Sequence, residues 1–202
     1  MNANDKISIF IKLYFPAAVK AWRQTIVRNE EDKIIKQVPI LSVLAQGGLE
    51  SDWGENAPGS AFHGIKADSK WKGKKQLKRT FEIFGDNNRK LHVFPEVISI
   101  TAFKDGNKTK YKWVVKDWFR AYDSAEEGFT DYCRFLEDNP RYAAAFTVTE
   151  PKAFSVSVAA AGYATGLGYA KLVKDCIDSV ANRLPLLGLQ IPHDANPLRT
   201  AP

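Results

Sequence analysis

Cysteine and histidine are scarce in this chain. The two cysteines, Cys133 and Cys176, fall in helix-like segments. They form neither a disulfide framework nor a metal-ligand pattern, and they read as buried free thiols. Three scattered histidines, His63, His92 and His193, argue against a dedicated metal site, so neither a metal nor a cofactor is expected. Long apolar runs are missing as well: none reaches the roughly 18 residues that a membrane span requires. The N-terminal stretch lacks the basic lead, clean apolar core and small-residue cleavage site of a secretory signal. No repeats or low-complexity tracts occur.

What is present is ample material for a core. Of 202 residues, 45% are hydrophobic and 12% aromatic, which suits one compact domain with a smaller lobe. The net charge of +6 favours an anionic partner, whether nucleic acid, a membrane surface or an acidic polymer.

Periodicity divides the chain into three parts. Residues 5–15 and 16–28 read as two helices, with Pro16 in the first turn of the second. A polar bridge, RNEEDK at 28–33, leads to an apolar helix from Pro39, and 54–61 is a loop. From about 62 to 119 the spacing becomes strand-like, with runs at 79–84, 90–97, 99–104 and 110–118. The Asp-Gly of KDGNK (104–108) marks a hairpin between two of these runs. Helices return after Tyr122. Asp123 or Ser124 caps one that runs to about Asp138, NPRY (139–142) breaks it, and two more lie near 150–161 and 168–183. The tail from Pro185 is Pro-rich and reads as extended or mobile. The expected architecture is α+β, mainly helical with a small antiparallel β lobe beside a cleft. Residues 1–184 would form one domain and 185–202 the tail.

Pro39 to Leu49 contains no charged side chain, and the run ends in Glu50. On a helical wheel the apolar positions cover most of the circumference, so the helix is buried nearly all round. Glu50 shares a sector with Gln46 and Val43 and lies in the last turn, where the helix dipole disfavours a carboxylate. Partial burial acts in the same direction and gives a carboxyl suited to general-acid chemistry; the bland alternative is a glutamate surfacing at a helix end. Glu82, within RTFEIF, either lines a cleft or lies on the solvent face of an amphipathic strand. Asp123 is an N-cap candidate. The stretch SKWKGKKQLKR (69–79) sets six basic residues around Trp71, as a solvated loop or as a rim that attracts anions.

These segments together resemble the glucosaminidase domain of glycoside hydrolase family 73. The motifs that carry the resemblance are QGGLESDWG at 46–54, AFHGIKA at 61–67, WKG at 71–73, TFE at 80–82, FRAYDS at 119–124, NPRY at 139–142 and AGYATGLGYA at 161–170. Ala61, His63, Gly166 and the Gly47-Gly48 pair depart from the family pattern. The resemblance implies a lysozyme-like fold and a hydrolase that cuts peptidoglycan glycan strands as an endo-β-N-acetylglucosaminidase. Glu50 would be the catalytic acid, Glu82 the second carboxylate, and Tyr163 would sit near the reacting sugar. Gln46, Trp53, His63 and Lys66 are candidate substrate-binding positions, together with Trp71, Tyr122, Asp123 and Tyr169. A muramidase or lytic transglycosylase is the alternative chemistry, and a non-catalytic wall-binding or nucleic-acid-binding module the alternative class. Action in the periplasm or cell wall without a classical signal peptide would fit a secreted effector or phage lysin. A cognate immunity protein would then be its partner.

Overall fold

A computed structural model describes residues 5–164 and 168–192 of the chain. It divides into two compact units: one is built from the chain up to His63 and from Asp123 onward, the other from Gly64–Tyr122.

The first unit is helical. Its opening helix α1 (Lys6–Gln24) is capped by Asp5, whose carboxylate accepts from the Ser8 N–H. Two helices broken at Pro16 were expected, but α1 runs through Pro16 without interruption. A buried stripe of Phe10, Ile11, Phe15, Ala18, Ala21 and Trp22 extends across the proline, and its burial outweighs the one lost hydrogen bond. The polar bridge also differs from expectation, because it folds into a two-strand hairpin, β1 (Val27–Arg28) with β2 (Ile34–Lys36). The Asn29 side chain organises its turn, accepting from the Glu31 and Lys33 N–H groups.

Helix α2 (Ile40–Glu50) packs against α1, α3 (Ala125–Asp138), α4 (Pro151–Ala160) and α5 (Tyr169–Arg183). A helix with neighbours on that many sides needs apolar residues all round, which accounts for the charge-free run. Around it, α3 contributes Phe129, Tyr132, Cys133 and Leu136, and α5 contributes Val173, Ile177 and Val180. Ser124, not Asp123, caps α3: its hydroxyl accepts from the Glu127 N–H, while the Glu127 carboxylate reaches back to the Asp123 N–H. Beyond α5 the tail, expected to be extended or mobile, begins with a short 3-10 turn, Pro185–Leu187. Cys133 is buried and Cys176 half-buried, both as free thiols.

The second unit holds a three-stranded antiparallel sheet in the order β3 (Lys75–Phe84), β5 (Lys108–Arg120), β4 (Glu96–Asp105). Gly106 and Asn107 form the turn between β4 and β5, with Gly106 at φ 58°. The central strand supplies the unit's core through Trp113, Val115 and Phe119. Residues 90–95 were expected to begin a strand but form a loop. The His92 ring stacks on Phe84 and its Nε2 lies 3.0 Å from Asp86, while Phe84, His92 and Phe94 all pack on Trp113. Ring packing, and not strand pairing, produces the aromatic spacing there. Among the described residues no helix is long and apolar enough to cross a membrane.

Candidate active site

Glu50 is the last residue of α2, and the backbone reverses sharply behind it. Asp52, Trp53 and Gly54 all adopt positive φ (50°, 58° and 91°), so the left-handed turn that ends the helix begins two residues before Gly54. Ser51 secures this end, its hydroxyl donating to the Gly47 carbonyl at 2.5 Å and accepting from the Gly54 N–H at 2.9 Å. Trp53 folds back over the helix. Its N–H bonds the Gly48 carbonyl at 2.7 Å and its ring covers Gly48 so closely that a Cβ there would lie 2.4 Å from the indole. The glycine at 48 thus has a local cause.

Tyr169, in the first turn of α5, donates its hydroxyl to Glu50 Oε1 at 2.7 Å. One turn before Glu50, the fully buried Gln46 donates from Nε2 to the Tyr169 hydroxyl at 3.2 Å. The Gln46 Oε1 in turn accepts from the Tyr132 hydroxyl. Solvent reaches Glu50, yet the protein packed around its carboxyl desolvates it and raises it above the ordinary glutamate value, against the lowering effect of the Tyr169 hydrogen bond. Solvent therefore reaches the residue while its carboxyl holds a proton to higher pH than an ordinary glutamate, and Tyr169 hydrogen-bonds it in place. Burial, then the Glu50 charge, hold the Tyr169 hydroxyl protonated.

A second tier supports these groups. The Tyr132 ring stacks on His63 with centroids 3.6 Å apart. Burial pushes the His63 imidazole down to about 3, so it is neutral, and its Nε2 donates to the Val43 carbonyl at 3.1 Å. The Tyr163 hydroxyl donates to the His63 carbonyl at 3.0 Å. Arg141 secures the turn that carries Tyr163, donating to the carbonyls of Ala161 and Gly162, both at 2.9 Å.

The residues expected at the site occupy different environments. Gln46 and His63, expected to bind substrate, are buried: Gln46 hydrogen-bonds Tyr169 and Tyr132, and His63 stacks on Tyr132. Trp53 is half-buried against Gly48 and Phe10. Tyr132 and Arg141 were not singled out from the sequence, although Arg141 lies within the NPRY motif. Gly166 falls outside the described residues.

In the β unit, Glu82 faces Lys66, which donates to it at 2.5 Å and to Asp117 at 2.9 Å. Burial alone would lower the Lys66 ammonium, but the hydrogen bonds it donates to both carboxylates outweigh it and hold lysine above its usual value. Asp117 is a further carboxylate that sequence reasoning missed; it faces the sheet side of Glu82 because it lies four residues along β5 from Trp113, which pairs with Glu82. Trp71 donates its indole N–H to the Lys74 carbonyl at 2.8 Å, packs edge-on to Tyr122, and takes the Arg120 guanidinium over its ring at 4.3 Å. Among the described residues, no group of three or more metal-ligating side chains comes together.

The sequence matches the family described as mannosyl-glycoprotein endo-beta-N-acetylglucosaminidase over residues 29–182. It is 31% identical over 150 residues to the peptidoglycan hydrolase FlgJ of Salmonella typhimurium, spanning 71% of this chain and 40% of that protein. It is 36% identical over 138 residues to FlgJ of Vibrio parahaemolyticus, spanning 65% and 37%. The chain therefore spans about two fifths of the length of the curated relatives it matches. A peptidoglycan hydrolase mutant from Sphingomonas sp. A1 superposes with a TM-score of 0.63 at 28% identity, covering 88% of this chain and 98% of that one. The glycoside hydrolase domain of Salmonella typhimurium FlgJ gives 0.61 at 26% identity, covering 90% and 92%. With an acid on the central helix, a tyrosine holding it, and a family match that spans both units, the chain belongs to the glucosaminidase family of glycoside hydrolases.

Proposed function

We propose that this protein hydrolyses the glycan backbone of peptidoglycan as an endo-β-N-acetylglucosaminidase, with residues 1–184 forming its catalytic domain. The observation that carries the reading is the Glu50 carboxyl: reached by solvent at a helix end, raised above the ordinary glutamate value by desolvation, and held by the Tyr169 hydroxyl at 2.7 Å. Protonated Glu50 donates to the glycosidic oxygen as the sugar–oxygen bond breaks. Glu82, held by Lys66, either activates the attacking water or polarises the substrate N-acetyl group. Tyr163 supports the reacting sugar from a turn that Arg141 holds in place, and Trp71 with Tyr122 offers an aromatic edge to sugar faces.

Glu50→Gln retains the shape of the site and the Tyr169 contact but has no proton to give. Turnover of purified peptidoglycan should fall about 10²–10⁴-fold with folding unchanged. Near-normal turnover by that variant would refute the assignment. Mass analysis of the released fragments should find reducing N-acetylglucosamine ends; reducing N-acetylmuramic ends or anhydro ends would convert the reading to a muramidase or a lytic transglycosylase.

Such a substrate places the action in the cell wall or periplasm. An antibacterial role, as a secreted effector or lysin with a cognate inhibitor protein, extends the proposal. Periplasmic expression should lyse cells, and the product of a neighbouring gene should prevent it; lysis that no neighbour suppresses would remove the inhibitor from the account.

A further inference from the structure

Directly paired residues of an antiparallel sheet share a face, so the register of the β unit sorts its side chains into two sets. Glu82 lies on the face of Trp113 and Val115. The opposite face is different in kind. It carries Lys75 and Arg79 from β3 and Lys108, Lys110, Lys112 and Lys116 from β5, and Arg120, which pairs with Lys75, makes a seventh cation. Glu96 and Asp105 are the acidic residues that the same register puts there. The surplus of five positive charges compares with +6 for the whole chain, so this one face holds most of the protein's net charge.

Stability does not explain the pattern. Arg79 is paired directly with Lys116, and Lys75 with Arg120; like charges facing each other across strands are destabilising. Lys116 pairs with Glu96 at 2.7 Å and Lys110 with Asp105 at 2.5 Å, which leaves the face with its surplus of positive charge. The same face exposes large apolar groups: Phe81 is 56% accessible and Ile83 49%. The Lys112 ammonium lies 4.6 Å from the Phe81 ring centroid, and that of Lys75 lies 4.6 Å from the Trp118 ring. Ring surfaces with ammonium groups beside them match a polymer of sugar rings bearing carboxylates. A second copy of this chain would meet the face with its own positive charge, so self-association there is opposed.

We propose that the outer face of the β3-β5-β4 sheet is an accessory binding surface for an anionic glycan strand, separate from the face that bears Glu82. It anchors the enzyme to the polymer that the catalytic residues cut. This inference rests on the peptidoglycan reading above, which supplies an anionic glycan wherever the enzyme acts.

The test uses the full chain with Glu50→Gln, which binds without cutting, and purified sacculi stripped of protein and accessory polymers. Replacing Lys75, Arg79 and Lys112 together by Gln should weaken retention on sacculi about tenfold at low salt. Phe81→Ser alone should weaken it severalfold with little salt dependence. In the chain with Glu50 intact, the same substitutions should leave cleavage of short soluble glycan fragments unchanged, which also shows that the variants fold. Unchanged retention would overturn the proposal. So would a loss of soluble turnover in parallel, or retention on duplex DNA or anionic vesicles that exceeds retention on sacculi and is lost with the three cations. If the chain with Glu50 intact is retained through this face yet cleaves no glycan, the hydrolase reading fails and the anchoring surface stands.

Discussion

Gly48→Ala tests whether the reversal behind Glu50 is held by Trp53. The added Cβ would sit 2.4 and 2.5 Å from Cε3 and Cζ3 of the indole, so the ring must retreat by about 1 Å to reach ordinary contact. It cannot retreat freely. The Trp53 N–H is bonded to the Gly48 carbonyl at 2.7 Å, its backbone sits at φ 58°, and its ring packs edge-on to Phe10 with centroids 5.6 Å apart. Overpacking of this kind costs about 1–3 kcal/mol, against about 1 kcal/mol recovered by alanine's helix preference over glycine. The net loss of up to about 2 kcal/mol corresponds to a Tm lower by up to about 8 °C for a chain of this size. Gly47→Ala is the internal control. Its Cβ would meet His63 Cε1 at 3.2 Å, a contact eased by a few tenths of an ångström, so its effect should stay within about 1 kcal/mol. The assay is thermal unfolding of four chains: the parent, Gly48→Ala, Trp53→Leu and the double variant. Removing the indole should abolish the cost of Gly48→Ala. Equal effects of Gly48→Ala with and without Trp53 would refute the packing argument.

Tyr169→Phe removes a hydroxyl that favours the Glu50 carboxylate, so Glu50 should hold its proton to higher pH and the alkaline limb of the activity profile should move upward. An unmoved limb would mean that the tyrosine does not act on the acid. Arg141→Ala releases the turn before Tyr163, and turnover should fall more than substrate affinity; Arg141→Lys, which cannot hold two carbonyls in the same fork, should rescue it only in part. Glu137 is buried in α3 with Oε1 lacking a hydrogen-bond partner, and burial raises its carboxyl to about 7. Its stabilising contribution is full below pH 4.5 and is lost as pH rises through 7, so Glu137→Gln should gain on the parent by on the order of 2 kcal/mol between pH 4.5 and 8 in urea unfolding. His63 works in the opposite sense: with its imidazole pushed down to about 3, stability present above pH 6.5 is lost as pH falls, and a parent curve flat below 6.5 would contradict its burial as a neutral group.

Glu50 was legible in the sequence because a helix packed on several sides cannot conceal its composition: the charge-free run records the burial, and the carboxylate records where burial ends. Gln46 was legible as a neighbour of Glu50, four residues earlier on one face, but not as a buried group, since its partners Tyr132 and Tyr169 arrive from α3 and α5. Pro16 misled because the local rule against proline inside a helix was overridden by a stripe of six buried side chains, a tertiary effect. The aromatic spacing of residues 90–95 misled in the other direction, reporting rings that gather on Trp113 and not a paired strand. Arg141 stayed hidden because its role lies in contacts with carbonyls about twenty residues away, and backbone acceptors leave no trace in the pattern of side chains.

The separation of Glu50 from Tyr169 along the chain, 119 residues, has a consequence for biosynthesis. Translation at about 5–20 residues per second makes the acid several seconds to tens of seconds before the tyrosine that orients it. During that interval α2, apolar all round, awaits partners on α3, α4 and α5, while the sheet of residues 75–120 has every strand it needs. The nascent chain thus carries an apolar helix covered by α1 alone until α3, α4 and α5 follow, and it carries no assembled acid site until α5 has emerged. Truncation before Tyr169 should yield an insoluble product and not a weakened enzyme.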